Sequence, residues 1–229
     1  MKTFVIIPAF NEEQSIGRVV KDIPQEIVPE VIVVDNNSTD QTGKVAAEAG
    51  ATVLHESIKG YGAACLKGIE YLKKKDCDTV VFLDGDYSDY PGDIVELIKP
   101  IEDDQYDFVL GSRVLGKRER GSLPFQSRIG SMIAGFLVKL FWQVKYTDLG
   151  PFRAIKFNKL IELDMKDKWF GWTVEMQIKA AKKNLRILEI PVKYRKRIGK
   201  SKVTGTLKGT FMASVIILKT IFTELIKGR

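Results

Sequence analysis

Thr79 to Asp86, read Thr-Val-Val-Phe-Leu-Asp-Gly-Asp, constrains what this chain can fold into more than any other stretch. Its first five residues carry no charge and are rich in β-branched and aromatic side chains, the pattern of a strand buried on both faces in the middle of a parallel sheet. The strand then stops on two carboxylates. Asp84 and Asp86 flank Gly85, whose missing side chain lets a ligand approach the backbone, and open α/β sheets bind ligands at the carboxyl ends of their strands. Two neighbouring carboxylates repel unless a positive charge lies between them, and a hard divalent cation carrying a nucleotide diphosphate meets that need. Taken alone, Asp-x-Asp also describes a polar turn after a strand, so the rest of the chain has to decide.

The chain before this stretch alternates strands and helices. Thr3 to Ile7 reads as a first strand that Pro8 closes, because proline cannot donate into a sheet interior. Ile16, Val19, Val20 and Ile23 then recur at helical spacing until Pro24. Val31 to Val34 is a second strand ending on Asp35-Asn36-Asn37-Ser38-Thr39-Asp40, where Ser38 or Asp40 can cap the following helix and Gly50 ends it. Thr52 to Leu54 is a short third strand, and Gly60-Tyr61-Gly62 opens a helix that runs to about Lys74. This alternation predicts parallel βαβ units, hence an α/β, doubly wound and mostly parallel sheet with flanking helices. Gly60-Tyr61-Gly62 suits a phosphate cradle or a simple turn, and Asp35 suits a capping acid or a nucleotide contact. The first strand leads into Pro-Ala-Phe-Asn-Glu-Glu rather than Gly-x-Gly-x-x-Gly, which argues against a dinucleotide site.

Composition narrows the partners. The excess of 36 Lys+Arg over 29 Asp+Glu gives a net charge of +7, favouring anionic partners such as phosphates, acidic lipid surfaces or nucleic acid. Zinc-finger spacing and the aromatic signature of RNA-recognition domains are both missing, which sets the nucleic-acid reading aside. Cys65 and Cys77 do not form Cys-x-x-Cys, and one histidine cannot build a His-based metal site. A reducing, cytoplasmic compartment follows, and the apolar run at the amino terminus is too short for a signal peptide.

Three ordered motifs carry a resemblance. Ile6-Ile7-Pro8-Ala9-Phe10-Asn11-Glu12, Val33-Val34-Asp35-Asn36-Asn37-Ser38-Thr39-Asp40 and Asp84-Gly85-Asp86 together resemble a family 2 glycosyltransferase of the GT-A fold. The resemblance implies that Pro8, Phe10, Glu12, Val33 and Asp35 contact the nucleoside. It also implies that Asp84, Gly85 and Asp86 form the diphosphate edge, with Asp86 as principal ligand of Mg²⁺ or Mn²⁺ and Asp84 beside it. Gly111-Ser112-Arg113, Asp148 through Ala154, Trp172 through Met176 and Glu189 through Lys202 resemble the dolichyl- or polyprenyl-phosphate hexosyltransferases within that family. The implied reaction is inverting transfer of mannose, glucose or N-acetylglucosamine from a UDP- or GDP-hexose to a lipid monophosphate. A sugar hydroxyl as acceptor is the alternative. On the resemblance, Arg113, Arg128, Arg197 and Lys202 hold phosphates, while Asp148 and Glu175 orient sugar. Gly150-Pro151-Phe152-Arg153 replaces the Ser-Gly-Phe-Arg of many mannosyl enzymes, so the sugar is not inherited.

The residues themselves agree with a lipid phosphate. Residues 193–202 hold Lys193, Arg195, Lys196, Arg197, Lys200 and Lys202 with no acid. Residues 113–128 hold five cations against Glu119 alone. Such runs either collect phosphate or form a solvated face. Ile129 to Val138 and Gly209 to Leu218 are uncharged runs of ten residues, too short to cross a bilayer, which takes about 20. Each can lie on a membrane surface with Phe136, Leu137, Phe141 and Trp142 or Phe211, Ile217 and Phe222 inserted, or pack on the sheet or in an oligomer. The expected organisation is a glycosyltransferase domain over residues 1–203, an amphipathic helix over 204–229, and a peripheral protein at the inner face of the cell membrane.

Overall fold

The computed structural model describes residues 1–199 and 207–228. Its sheet contains β1 (Thr3–Ala9), β2 (Glu30–Asp35), β3 (Thr52–His55), β4 (Thr79–Phe82), β5 (Phe108–Ser112), β6 (Arg153–Lys156) and β7 (Ile187–Pro191). They lie in the order β3-β2-β1-β4-β6-β5-β7. All neighbouring pairs are parallel except those of β6, which runs antiparallel to both β4 and β5. This is the mostly parallel, doubly wound sheet that the strand–helix alternation predicts.

Alternate residues of β1 feed two separate cores. Val5 and Ile7 pack with Val33 and Val81 beneath α1 (Ile16–Lys21), α2 (Thr42–Glu48) and α4 (Ile94–Glu102). Phe4 and Ile6 pack with Ile32 and Phe82 on the other face. There they meet α3 (Tyr61–Leu72), α5 (Phe125–Trp142), α6 (Phe157–Glu162), α7 (Trp172–Lys182) and α8 (Leu207–Ile226). The four residues of β4 are all buried, as expected for a central strand, and Val80, Val81 and Phe82 each contribute about 1.5–3 kcal/mol relative to exposure. At Gly68 of α3 an added Cβ would meet Ile6 Cγ2 at 2.8 Å, so the bare backbone is what lets this helix lie flush on β1.

Pro8 does not end its strand: β1 continues to Ala9, with Pro8 opposite Val34. The pairing with β4 stops at Ile6 and Phe82, so the side of Pro8 that lacks an N–H faces a cleft and no donor is missed. At the opposite end of the sheet Asp107 takes hydrogen bonds from Arg186 Nε at 3.0 Å and Nη2 at 2.7 Å and pairs with Lys156. This cluster ties the starts of β5 and β7 to the end of β6.

The sequence division at 203/204 falls outside the described residues. Helix α8 itself packs on α5 and α7, burying Ala213, Ile221 and Glu224. Lys182 reaches Glu224 at 3.2 Å across that joint. No helix among the described residues is long and apolar enough to cross a membrane.

Candidate active site

Chain direction places the site. From β1 the sheet grows one way through β2 and β3 and the other way through β4, so the crevice between the carboxyl ends of β1 and β4 is the topological switch point where open α/β sheets bind ligands. The end of β1 and the loop after it bring Pro8, Phe10 and Glu12 to one side of that crevice, and the loop after β4 brings Asp84, Gly85 and Asp86 to the other. Both line a cavity of about 330 Å³, closed by Tyr61, Trp169, Phe170 and Arg197.

Two further cavities adjoin it. One of about 340 Å³ is lined by Asp84, Asp86, Arg113, Ser127, Tyr194, Lys196 and Arg197. The other, of about 220 Å³, runs between α5 and α8 and is lined by Arg113, Ser127, Leu149, Phe170, Ala213 and Ile217 together with Asp84. Asp84 belongs to all three. It makes no hydrogen bond or ion pair among the described residues, and its enclosure, followed by the repulsion of Asp86, pushes its carboxyl up to about 7.

Asp86 is engaged on both oxygens. Ser88 donates to Oδ1 from its backbone N–H at 2.9 Å and its hydroxyl at 2.5 Å. Arg197 Nη2 lies 3.0 Å from Oδ2 and 3.3 Å from Glu12 Oε1. The basic segment that carries Arg197 is sewn to the Asp84–Asp86 loop through its backbone, Arg195 N donating to Ser88 O and Ile198 N to Asp86 O at 2.9 Å each. Arg195 is spent on structure. Its guanidinium stacks 3.4 Å from the centre of the Tyr87 ring and 4.2 Å from that of Tyr90, and its Nε donates to Tyr87 O.

Arg113 is held by a fork. Its Nε and Nη2 donate to the two oxygens of Asp148 at 2.7 and 2.8 Å, and its backbone N–H adds a third bond at 3.0 Å. Burial works against the charge on Asp148, but Arg113 and the N–H donors of Arg113 and Leu149 outweigh it and keep that carboxyl below its ordinary value. Asp148 therefore touches Arg113 rather than a cavity. Glu189 of β7 accepts from Thr147 N and Asp148 N and so fixes the turn that presents Asp148.

Other expected site residues lie elsewhere. Val33 is buried in the sheet core. Asp35 is not among the residues lining the first cavity and accepts from Ser38 N at 3.0 Å. Glu175 accepts from Lys166 N and Asp167 N, pairs with Lys179, and thereby anchors the loop that carries Trp169 and Phe170. Arg128 is exposed on α5, lining none of these cavities, and Lys202 lies outside the described residues. Gly60-Tyr61-Gly62 is not a phosphate cradle here, since Gly62 N and Ala63 N donate to Trp169 O and Lys168 O.

Sequence reasoning missed Asp89. It is 1% exposed, neither carboxylate oxygen has a hydrogen-bond partner among the described residues, and burial followed by repulsion from Asp84 and Asp86 pushes it well up. An acid in a polar loop looks like a turn residue, and only the fold buries it. Trp169 and Phe170 were missed for the same reason, being ordinary aromatics until α3 and α7 bring their loop over the cavity.

Among the described residues no group of three or more His, Cys, Asp or Glu side chains is arranged to hold a metal ion alone. The donor set suits a cation that shares its coordination with a ligand. Mg²⁺ is ordinarily held through one or two carboxylates plus substrate phosphates, and Asp84 is a carboxylate with no hydrogen-bond or ion-pair partner among the described residues, at the meeting point of the cavities.

Residues 4–163 match the family model described as Glycosyl transferase family 2. An uncharacterized glycosyltransferase of Mycobacterium tuberculosis is 33% identical over 220 residues, covering 95% of this chain and 96% of that protein. A UDP-N-acetylglucosamine–dolichyl-phosphate N-acetylglucosaminyltransferase of Methanococcus voltae is 28% identical, covering 83% of this chain and 84% of its own. An undecaprenyl-phosphate mannosyltransferase of Micrococcus luteus is 27% identical, covering 94% and 93%. Among solved structures, a glucosyl-3-phosphoglycerate synthase of M. tuberculosis with Mn²⁺, UDP and phosphoglyceric acid superposes with a TM-score of 0.76 at 20% identity, over 97% of this chain and 78% of that one.

Proposed function

The chain belongs to glycosyl transferase family 2, and from that premise we propose that it moves one hexose from a nucleotide sugar to a polyprenyl or dolichyl monophosphate, with inversion at the anomeric carbon. The observation that carries this reading is the meeting of three cavities at Asp84: an aromatic-walled one, a cationic one and an apolar one. The first takes the nucleotide sugar, the second the phosphates, the third the first isoprene units of the acceptor. Two relatives named for lipid-phosphate acceptors but different sugars support the acceptor class and leave the hexose open.

Asp84 and Asp86 would hold Mg²⁺ or Mn²⁺. Such an ion, when bound with the donor, supplies Lewis-acid stabilisation of the departing diphosphate. The chain's own residues do the positioning. Arg197 and Lys196 face the diphosphate, and Arg113, locked by Asp148, presents its remaining N–H donors to the acceptor phosphate in fixed geometry. A phosphate monoester is already anionic near neutral pH, so attack on the anomeric carbon needs little help from a general base, and preorganised charge dominates. Phe170, lining both the first and the third cavity, separates sugar from lipid and keeps water out.

The protein is peripheral on this reading, at the inner face of the cell membrane. Phe125, Met132, Phe136 and Leu140 of α5 and Phe211, Val215 and Phe222 of α8 are exposed on the two helices that wall the apolar cavity. Arg128, Lys139 and Lys219 are exposed on the same helices, the arrangement of an interfacial anchor on anionic lipid. Leu137, Phe141, Trp142 and Ile217 do not insert, because they pack against the core instead.

The test is to incubate the protein with Mg²⁺, polyprenyl phosphate vesicles and labelled UDP-glucose, UDP-N-acetylglucosamine or GDP-mannose in turn. One donor should deliver label to the lipid phase, only when the lipid phosphate is present, and Asp86→Asn should abolish delivery without unfolding. Label passing to a water-soluble acceptor with no lipid requirement would overturn the acceptor assignment.

A further inference from the structure

We propose that Arg197 is a tethered cation that holds the metal position of the Asp84–Asp86 loop in the donor-free protein, so that the divalent ion enters with the nucleotide diphosphate rather than ahead of it. This rests on the donor site assigned above and concerns how that site is filled. Arg197 Nη2 lies 3.0 Å from Asp86 Oδ2 and 3.3 Å from Glu12 Oε1, bridging the two loops that line the donor crevice. The other oxygen of Asp86 is committed to Ser88. An incoming Mg²⁺ or Mn²⁺ needs the lone pairs of Asp86 at close range, and the guanidinium occupies the oxygen that Ser88 does not engage.

Charge decides the order of events. A bare divalent ion entering beside Arg197 meets a like charge that still has its two carboxylate partners and nothing to gain by moving. The diphosphate changes this balance, because it offers Arg197 a new anionic partner of the geometry that a guanidinium fork prefers. Arg197 has a donor in reserve for it, since its Nε is buried with no hydrogen-bond partner among the described residues. The exchange needs only side-chain rotation. The backbone on either side stays pinned, Arg195 N to Ser88 O and Ile198 N to Asp86 O, so the guanidinium swings from carboxylates to phosphate while its anchor remains on the metal-binding loop. Ion and nucleotide then bind with positive coupling, each raising the affinity for the other by the same factor.

The experiment measures Mn²⁺ binding without turnover, from the free-ion signal in electron paramagnetic resonance. It uses the full chain as wild type, Arg197→Gln and Arg197→Lys, each with and without UDP or GDP. Circular dichroism melts confirm that the variants fold. In wild type, Mn²⁺ should bind weakly alone and at least about tenfold more tightly with the matching nucleotide, a coupling within the usual range for linked sites. Arg197→Gln should bind Mn²⁺ about tenfold more tightly than wild type in the absence of nucleotide, and lose most of the coupling. Arg197→Lys, which keeps the charge, should stay close to wild type in nucleotide-free affinity. Unchanged or weaker nucleotide-free Mn²⁺ binding by Arg197→Gln, with coupling to nucleotide intact, would overturn this inference and leave the donor site standing. Mn²⁺ bound by no protein in any condition would overturn both.

Discussion

Asp148→Asn gives the sharpest test of how the site is held together, because the carboxylate it replaces has no oxygen to spare. Oδ2 accepts from the Arg113 backbone N–H at 3.0 Å and from Nε at 2.7 Å. Oδ1 accepts from Arg113 Nη2 and from Leu149 N, both at 2.8 Å, and from Ser131 Oγ at 3.3 Å. Whichever way an asparagine amide is turned, its NH₂ group faces at least two N–H donors. The variant therefore loses about two charge-assisted bonds at roughly 1.5–3 kcal/mol each and leaves the Arg113 charge unpaired. The Arg113 and Asp148 side chains are only 12% and 1% exposed, so solvent screens little of this. Breaking one side of a buried ion pair costs about 3–5 kcal/mol, and we expect a loss of that size, a large share of a typical domain's stability. Urea titration should show a lower midpoint at an unchanged slope. In the transfer assay the freed Arg113 fork should raise KM for the lipid phosphate by about tenfold or more while KM for the nucleotide sugar moves little. A variant within about 1 kcal/mol of wild type, with acceptor KM unchanged, would refute the claim that Asp148 preorganises Arg113.

Two further outcomes follow from other parts of the molecule. Asp107 is held well below the ordinary carboxylate value, first by hydrogen bonding from the Arg186 guanidinium against the cost of burial, then by Arg186 N–H and Lys156. A depressed folded-state value contributes stability that is whole above the unfolded value near pH ~4 and drains as the pH falls from there toward the folded one. Asp107→Asn should accordingly lower Tm at neutral pH, with the gap from wild type narrowing only below about pH 4; a gap that stays constant to about pH 2 would contradict this. Phe136 and Phe211 are 63% and 71% exposed. The double change to glutamate should cut sedimentation with anionic vesicles by at least about tenfold and leave nucleotide-sugar binding in solution unaltered, whereas undiminished vesicle binding would remove α5 and α8 as the anchor.

Much of the donor half is legible in the sequence. Uncharged β-branched runs at 3–7, 31–34, 52–54 and 79–83 mark four strands because a strand buried on both faces has no polar phase to hide. The parallel alternation also puts the Asp84–Asp86 edge at the carboxyl end of a sheet strand, whereas the strand order, with its antiparallel β6, comes only from the structure. The acceptor half was less legible because its key contacts are long-range. Arg113 and Asp148 stand 35 residues apart, and nothing local says that each is the other's partner. Strand β6 is four residues that include the fully buried Arg153, a side chain that argues against a central strand until its bonds to Thr173 O and Gly150 O are seen. The same limit applies to α5 and α8. Hydropathy finds both as apolar helices, but only their packing on α7 and on one another sorts the inward Phe141 and Ile217 from the outward Phe136 and Phe211.

The central claim is that one metal ion joins the donor diphosphate to Asp84 and Asp86 while Arg113 receives the acceptor phosphate. A crystal structure with Mn²⁺, the nucleotide diphosphate selected by the transfer assay and a short-chain prenyl phosphate measures both at once, using the anomalous signal of manganese. The account predicts a manganese peak between the pyrophosphate and the Asp84–Asp86 edge, with the prenyl phosphate on Arg113 and its chain running between α5 and α8. A manganese peak elsewhere, or a prenyl phosphate bound away from Arg113, would contradict it.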